Sequence, residues 1–253
     1  MMKERKKLTE LIFFRENECK AMEEYLAEKA AQGWMLEEIN LGFFSFKKVQ
    51  PTYCRFAVDI FDDLNFAEYR EYCEASGWNY LCCTGRYLIF TTVDENTIPI
   101  QTDEELVLKK IRKSIMAYLL LTIMLVLNFI NIIRKGFIMG EVYKTENLFI
   151  LILVLIFTSF LVTEVITDTS WYVKIQINIK SGSKIRYKTL KSLKIKNIYM
   201  KLYMYAFIIV LISSAGLHFG NEYTYEYSWW IYIFALILGV ITSVYKVIKI
   251  NRA

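Results

Sequence analysis

Few side chains in this sequence could carry out catalysis. There is one histidine, His218, and there is no Gly-rich phosphate loop, HExxH or GxSxG motif that would cradle a phosphate, bind zinc or activate a serine. The adjacent carboxylates Glu37-Glu38 and Asp62-Asp63 could exchange protons with a substrate. The second pair, however, precedes a predicted helix start, where acidic residues interact favourably with the helix dipole. We therefore expect no catalytic residue and no enzyme activity.

The cysteines are the other reactive side chains, and all five lie in the first third of the chain, at Cys19, Cys54, Cys73, Cys82 and Cys83. An odd number in a domain expected in the cytosol indicates reduced thiols rather than disulfides. Neighbours on a strand point to opposite faces, which disfavours a metal ion shared by Cys82 and Cys83. The sequence therefore predicts packing roles for the cysteines, no metal site and no cofactor.

Aromatic side chains are the best candidates for ligand binding. Five of them occur in segments with strand character, at Trp34, Phe44, Trp78, Tyr80 and Tyr87. Gathered in a cleft, such rings could hold a small amphipathic molecule. The alternative is that they are core and edge residues of a small sheet.

Four long apolar segments organise the rest of the chain, at residues 115–133, 148–166, 202–219 and 229–247. Each has the length that a helix needs to cross ~30 Å of hydrocarbon. Asn128 and Asn131 lie on one side of the first segment, where they favour hydrogen bonds between helices. Glu164 indicates either an ion pathway or a position near the cytosolic membrane surface, because Asp168 follows one helical turn later.

Basic residues flank these segments unevenly. Residues 109–113, 174–201 and 246–252 hold 16 Lys and Arg residues, whereas the connections between the first and second and between the third and fourth segments hold three. Loops rich in Lys and Arg stay on the cytosolic side of a membrane. We therefore expect a multi-pass plasma-membrane protein, in contact with the lipid bilayer, with cytosolic N- and C-termini and a basic cytosolic loop at residues 168–201.

The charge of the chain changes sign along its length. Residues 1–105 hold 12 basic and 20 acidic side chains, whereas residues 106–253 hold 19 and 6. A negative domain repels phosphate backbones, so nucleic acid is not an expected partner. The basic loop has three possible roles: an ordinary cytosolic connection, a contact with anionic lipid, or docking on the acidic N-terminal domain.

The N-terminal domain contains an internal repeat of 44 residues. Glu24, Tyr25, Ala31, Gly33, Trp34 and Phe46 recur as Glu68, Tyr69, Ala75, Gly77, Trp78 and Phe90. In each copy an amphipathic helix ends at a glycine, the residue that favours the positive φ of a helix C-terminus, and an aromatic strand follows. Alternation at residues 54–60 predicts a strand with one buried face. The pattern of residues 1–95 therefore predicts an α+β domain. This domain is a duplicated βαββ unit with one antiparallel sheet and both helices on one face of it.

The elements after this domain can be placed in the same way. Residues 96–113 predict a linker and a juxtamembrane helix that starts at a Thr102–Glu105 capping box and continues into the first span; Asn65–Glu68 predicts another capping box. Residues 114–250 then predict an all-α module of four transmembrane helices. For residues 173–180, a strand and a helical continuation of the second span both remain open.

The chain contains two helix-Gly-Trp-strand units, and these resemble the bacterial family called domain of unknown function 2812. The resemblance lies in the segments FFRENECKAMEEYLAEKAAQGWMLEEINLGFFSFKK, YCRFAVDIF and FAEYREYCEASGWNYLCCTGRYLIF. The resemblance covers roughly residues 10–95. It implies membrane spans after the domain and, for many members, a PadR-like transcriptional regulator encoded alongside. The order of elements is also similar to that of GyrI-like ligand-binding domains. Neither resemblance implies catalytic residues.

Two functions fit these expectations. In the first, the cytosolic domain binds a small amphipathic ligand or a protein partner, and the chain acts as a membrane-anchored sensor or adaptor, with a PadR-like regulator as the partner that the resemblance implies. In the second, the spans are the active part, in a small transporter or in an envelope-stress or peptide-immunity protein. A homodimer is compatible with both, since four spans can form a transport unit as a dimer.

Overall fold

The computed structural model describes residues 7–61, 65–100, 104–139, 145–181 and 187–219. The chain divides into two compact units, which are described separately. The head unit consists of residues 1–111 together with 183–193, and the helical unit consists of residues 112–182 and 194–253. The predicted span at 229–247, the pair Asp62-Asp63 and the predicted cap Thr102 lie outside the described residues.

Within the described residues, strands and helices alternate as far as Thr92, and three long helices follow. The strands are β1 (Lys7–Leu11), β2 (Trp34–Asn40), β3 (Phe43–Lys48), β4 (Arg55–Ile60), β5 (Asn79–Thr84) and β6 (Tyr87–Thr92). The α-helices are α1 (Cys19–Ala31), α2 (Phe66–Ala75), α3 (Glu104–Met139), α4 (Thr145–Lys180) and α5 (Leu190–Phe219), and a 3-10 turn at Glu16–Glu18 precedes α1.

The strands of the head unit form two antiparallel sheets of three strands each. The first has the order β1-β3-β2 and the second the order β4-β6-β5. The β2–β3 and β5–β6 hairpins have the same register after a shift of 44 residues, so that the pair Leu36 and Phe46 corresponds to the pair Tyr80 and Phe90. Both hairpins also carry a bulge at the equivalent place, between Leu36 and Glu38 and between Tyr80 and Cys82. The repeat in the sequence is therefore also a repeat in strand pairing.

Glycines end both helices of the repeat, as predicted. Gly33 and Gly77 follow α1 and α2 with φ angles of +81° and +90°, values that favour a residue without a Cβ. A Cβ on Gly33 would lie 2.8 Å from the carbonyl oxygen of Val49. The chain therefore turns from helix to strand at the same point in each unit.

The prediction of one sheet with both helices on the same face is wrong. β2 and β5 lie side by side, yet they belong to different sheets. One core cluster combines the buried stripe of α1 with residues of both sheets, including Met22, Leu26, Phe44, Phe46, Val58 and Ile89. A second cluster lies on the opposite face of the second sheet, against α2, and contains Ala57, Cys73, Trp78, Leu88 and Phe90. The second sheet is therefore apolar and covered on both faces. The prediction that β4 has a single buried face is also wrong.

Two local predictions in the head unit also differ from the structure. The apolar residues 11–14 are a strand candidate in the sequence, but the first strand covers Lys7–Leu11, where its pairing with β3 runs. Asn65 precedes α2, but its side-chain amide bonds to the carboxylate of Glu68 and makes no capping hydrogen bond to the helix backbone. The predicted capping box is therefore replaced by a bond between side chains.

The predicted spans that fall on described residues are helical. α3 runs without a break through residues 115–133, and α4 continues past residue 166 to Lys180, so residues 173–180 are helix and not strand. In the described part of the chain, one segment, Glu105–Asn131, is long and apolar enough to cross a membrane. The four-helix transmembrane module, the multi-pass topology and the cytosolic termini stay predictions.

Candidate functional site

A cleft of about 300 Å³ lies in the head unit between α1 and strand β4. We call it the α1–β4 groove. Its lining comes from four stretches of chain. α1 contributes Lys20, Glu23, Glu24 and Ala27, the β4 stretch contributes Cys54 to Asp59, and Trp78 and the pair Pro99-Ile100 complete the wall. Within its sheet β4 pairs with β6 alone, so one edge of the strand is available to the groove.

The periodicity of α1 explains which side chains face the groove. Met22 and Leu26, which belong to the buried stripe of the helix, point into the first core cluster. Glu23 and Ala27 follow them by one residue, which rotates them by ~100° around the helix axis. The same helix therefore packs into the core with one stripe and lines the groove with the next.

Glu23 joins α1 to the free edge of β4. Its Oε1 accepts a hydrogen bond from the backbone N–H of Val58 at 3.1 Å, and Lys20 Nζ donates to its Oε2 at 2.9 Å. Edge strands leave N–H groups of this kind without a partner in the sheet, and the Glu23 carboxylate supplies one. Burial raises the pKa of Glu23, while Lys20 and the Val58 N–H act in the opposite direction.

Asp59 is a second buried carboxyl group at the groove. The hydroxyl of Tyr69 donates to Asp59 Oδ2, and the backbone N–H of Ile60 donates to Oδ1 at 2.7 Å. Burial raises the pKa of Asp59, although Tyr69 and the positive charge of Lys110 lower it in part. The negative charge of Asp59 also contributes to the raised pKa of Glu23. The groove thus contains two carboxyl groups that are short of solvation.

Trp78 and Arg55 close one end of the groove. The indole N–H of Trp78 donates to the carbonyl oxygen of Ile98 at 2.8 Å, and the guanidinium carbon of Arg55 lies 5.6 Å from the centre of a Trp78 ring. Arg55 also donates to the carbonyl oxygens of Glu95 and Thr97, at 2.7 and 2.9 Å. The segment after β6 therefore holds both side chains in place.

The five aromatic residues predicted to bind a ligand do not come together in one cleft. Trp78 lines the α1–β4 groove. Tyr80 packs against Phe66 and Phe90 next to α2, whereas Phe44 and Tyr87 both pack against Phe14 in the first core cluster. Trp34 lies beneath the ammonium group of Lys48, which is 4.7 Å from its ring centre. The structure thus places one of the five at the α1–β4 groove, and ligand binding by these residues stays a prediction.

The sequence pattern does not single out Glu23 and Asp59 as candidate site residues. Glu23 stands beside an apolar helical stripe, and Asp59 occupies the alternate strand position that would face solvent if only one side of β4 were buried. One signal was available for Asp59. Tyr69 lies on the predicted buried stripe of α2, and a buried tyrosine hydroxyl needs a hydrogen-bond partner.

The helical unit contains the polar residues predicted within the spans. Glu164 on α4 forms an ion pair with Lys196 on α5, with 3.4 Å between Oε2 and Nζ and with side chains only 15% and 13% exposed. Asn128 and Asn131 are exposed on α3. The partner of Glu164 is thus a lysine of the segment predicted as the basic loop.

The described cysteines are all free thiols. Burial, followed by the neighbouring Cys83, raises the pKa of Cys82 to about 12, which disfavours the thiolate needed for metal binding or redox chemistry. Among the residues that the structure describes, no group of three or more His, Cys, Asp or Glu side chains is arranged to hold a metal ion.

Residues 18–124 match a family model described as protein of unknown function (DUF2812). The match begins just before α1 and ends within α3, so it covers both helix-Gly-Trp-strand units. No curated protein and no solved structure is detectably similar to this chain.

Proposed function

Residues 18–124 place this chain in the DUF2812 family, and from that premise we propose that it is a non-enzymatic membrane-anchored sensor or adaptor whose head unit binds a small amphipathic cation. The observation that carries the proposal is the α1–β4 groove, in which buried carboxyl groups stand beside apolar side chains. The head unit, on this proposal, lies in the cytosol and the long apolar helices hold it at the plasma membrane.

The charges of the groove favour a cationic ligand. Three acidic side chains, Glu23, Glu24 and Asp59, line it together with two basic ones, Lys20 and Arg55. Burial raises the pKa of both Glu23 and Asp59, which means that their charged forms are poorly stabilised. A ligand cation next to them would favour the ionised forms, because an opposite charge lowers the pKa of a carboxyl group.

The apolar lining favours a ligand with a small hydrophobic group. Ala27, Phe56, Trp78 and Ile100 contribute carbon surface to the groove, and an aromatic face also attracts a cation. A volume of about 300 Å³ lies at the lower end of the range of ligand pockets. The ligand is therefore expected to be about the size of one substituted ring.

Benzyltrimethylammonium is a suitable probe, because it combines one aromatic ring with a permanent positive charge. We expect the purified full-length chain to bind it in a calorimetric titration and to bind the anion 3-phenylpropionate at least tenfold more weakly. Glu23→Gln, which keeps an oxygen for the Val58 N–H but removes the charge, should weaken binding of the cation at least tenfold. Glu71→Gln on the exposed side of α2 is the matched control. Equal binding of the cation and the anion, or equal binding by the wild type and Glu23→Gln, would rule out this proposal.

The adaptor role also requires a protein partner. The resemblance described above implies a PadR-like regulator, and a second copy of this chain is the other candidate. Ligand binding in the head would then change the surface of the head that contacts that partner. A pull-down of the regulator by the full chain, with and without benzyltrimethylammonium, tests this step.

The alternative function, in which the spans act as a small transporter or in envelope stress or peptide immunity, assigns the active polar groups to Asn128, Asn131 or Glu164. The ion pair of Glu164 with Lys196 supports a structural role instead, since a charge in an apolar segment is stabilised by such a partner. The transport function predicts that Glu164→Gln abolishes function without lowering the abundance of the protein.

A further inference from the structure

A short segment far along the chain is part of the head unit. Residues 187–193, which we call the clamp segment, include the first turn of α5, and they group with the head although residues 112–182 do not. Thr189 caps this turn, because its hydroxyl accepts a hydrogen bond from the N–H of Ser192 at 3.3 Å. The clamp segment therefore enters the head unit as an ordered turn.

The clamp segment contacts the start of α1 through a polar and an apolar side chain. Lys188 Nζ lies 3.5 Å from Glu18 Oε1, and these side chains are 13% and 1% exposed. Leu193 is 1% exposed and belongs to the first core cluster, with Cys19, Met22 and Leu26 of α1. A basic residue of the predicted cytosolic loop is thus used to balance a buried acid of the head.

The turn before α1 needs such cations. Glu16, Asn17 and Glu18 are consecutive polar residues and all three are buried. Arg86 from the β5–β6 turn forms an ion pair with Glu16, and Lys188 does so with Glu18. The backbone N–H of Arg15 also donates to Glu18 Oε2, at 3.0 Å, and Lys188 adds a positive charge at Oε1. Removing a cation from beside a buried carboxylate is unfavourable, which links the position of this turn to the clamp segment.

The same helix connects the clamp segment with the α1–β4 groove. Glu18 is the residue that precedes α1, and Leu193 packs with the buried stripe of α1. Lys20, Glu23 and Ala27, on the adjacent stripe of the same helix, line the groove. One helix therefore joins the contacts of the clamp segment to the lining of the groove.

We infer that the clamp segment is a built-in regulator of the α1–β4 groove. When Lys188 and Leu193 are docked, α1 is held against β4 and the groove has its binding shape; when they are released, α1 moves and the groove is lost. The part of this inference that concerns a ligand rests on the proposed function. The coupling between the clamp segment and α1 does not depend on it. Because coupling between two sites is reciprocal, a ligand in the groove must in turn hold the clamp segment in place.

Hydrogen–deuterium exchange of the full chain tests the coupling to α1. Lys188→Ala and Leu193→Ala are expected to speed exchange of the α1 amides at least tenfold and to leave β6 unchanged, whereas Lys191→Ala, on the exposed side of the same turn, has no effect. Faster exchange in β6 would identify a variant that unfolds the whole head. If Leu193→Ala does so, the exchange of α1 in Lys188→Ala decides whether the clamp segment is coupled to α1. Wild-type exchange of α1 in Lys188→Ala would overturn the inference.

Cys54 reports on the groove without any ligand, because it lines the cleft and is a free thiol. N-ethylmaleimide modification of Cys54, followed by peptide mass spectrometry, is expected to be at least threefold faster in Lys188→Ala than in Lys191→Ala. The exposed Cys83 serves as the internal reference. An unchanged rate at Cys54 would overturn the regulatory role, and it would do so whether or not benzyltrimethylammonium binds.

The ligand experiment separates the two proposals. If benzyltrimethylammonium binds the wild type, its dissociation constant should rise at least threefold in Lys188→Ala and stay constant in Lys191→Ala, and saturation should slow exchange of residues 187–193. Equal affinity in Lys188→Ala would contradict regulation of the groove. Failure of the probe to bind the wild type refutes the choice of ligand alone, and the exchange and Cys54 measurements still decide the inference.

Discussion

Tyr25 and Tyr69 make the same hydrogen bond in the two halves of the head unit. Each hydroxyl donates to a carboxylate on the first strand of its own half, Tyr25 to Glu10 and Tyr69 to Asp59. The two acids are equivalent as well, since Glu10 pairs with Phe44 and Asp59 with Leu88, which stand 44 residues apart. The repeat therefore preserves a partly buried polar contact between the helix and the sheet.

The two contacts differ in one partner. Lys29 adds an ion pair to Glu10, with 2.6 Å between Nζ and Oε1, whereas Cys73 takes the equivalent position 44 residues later. Asp59 lacks that cation, and burial raises its pKa. The second half of the repeat has thereby acquired the poorly stabilised carboxyl group that faces the α1–β4 groove.

Removing the tyrosine hydroxyls should affect the two halves unequally. Tyr69→Phe removes the hydroxyl donor from Asp59 Oδ2 and leaves only the backbone N–H of Ile60 among the two donors described above. It should lower the free energy of unfolding by about 1.5–3 kcal/mol, the usual value of a hydrogen bond to a charged group. Tyr25→Phe should cost less, because Lys29 remains on Glu10. Urea denaturation of the full chain measures both values, with the exposed Tyr72→Phe as the control. A larger loss for Tyr25→Phe would contradict this assignment.

The raised pKa values predict a specific pH dependence of stability. The native state binds protons more tightly at Glu23 and Asp59 than the unfolded state does, so stability falls as pH rises from the ordinary values, 4.5 for Glu and 3.8 for Asp, to the raised ones. In that window each group contributes a slope of up to ~1.4 kcal/mol per pH unit. Asp59→Asn and Glu23→Gln should each flatten the profile.

Urea denaturation of the full chain between pH 4 and pH 8 measures this profile. Glu71→Gln, which removes an exposed charge, should leave the slope of the wild type unchanged. A steeper fall in stability with rising pH in Asp59→Asn would show that the sign of the effect is wrong.

The two helix-ending glycines should differ in their tolerance of alanine. At Gly77 an added Cβ would meet only side-chain atoms of Thr97, at 3.5 Å, so Gly77→Ala carries mainly the conformational cost of positive φ, about 1–2 kcal/mol. At Gly33 the Cβ would also meet the backbone oxygen of Val49 at 2.8 Å. We therefore expect Gly33→Ala to lower the melting temperature more than Gly77→Ala does, and equal shifts would contradict the steric argument.

The ion pair of the helical unit should behave as a structural pair. Lys196→Met alone leaves Glu164 largely buried without its cation and should cost up to about 3–5 kcal/mol. Combining it with Glu164→Gln should recover most of that loss, because neither charge then remains. The melting temperatures of the two single variants and the double variant measure the coupling, and strictly additive shifts would show that the two side chains do not interact.

The sequence by itself determined the features that depend on local physics. Gly33 and Gly77 at positive φ follow from helix termination, and strands that begin near Trp34 and Trp78 follow from residue alternation after each turn. The continuation of α3 from Glu104 through the first apolar segment follows in the same way from composition and length. In all of these, the residues that decide the structure are close neighbours in the chain.

Only the tertiary structure decided what lies against what. The sequence suggested one sheet because it could not show that the apolar residues of β4 and β6 are buried on both faces, which requires α1 and α2 on opposite sides of the second sheet. Glu23 and Asp59 became site residues, and Lys188 reached Glu18, through packing between segments that are far apart in the chain. Burial and charge pairing depend on such distant neighbours, and local periodicity carries no information about which distant segments will meet.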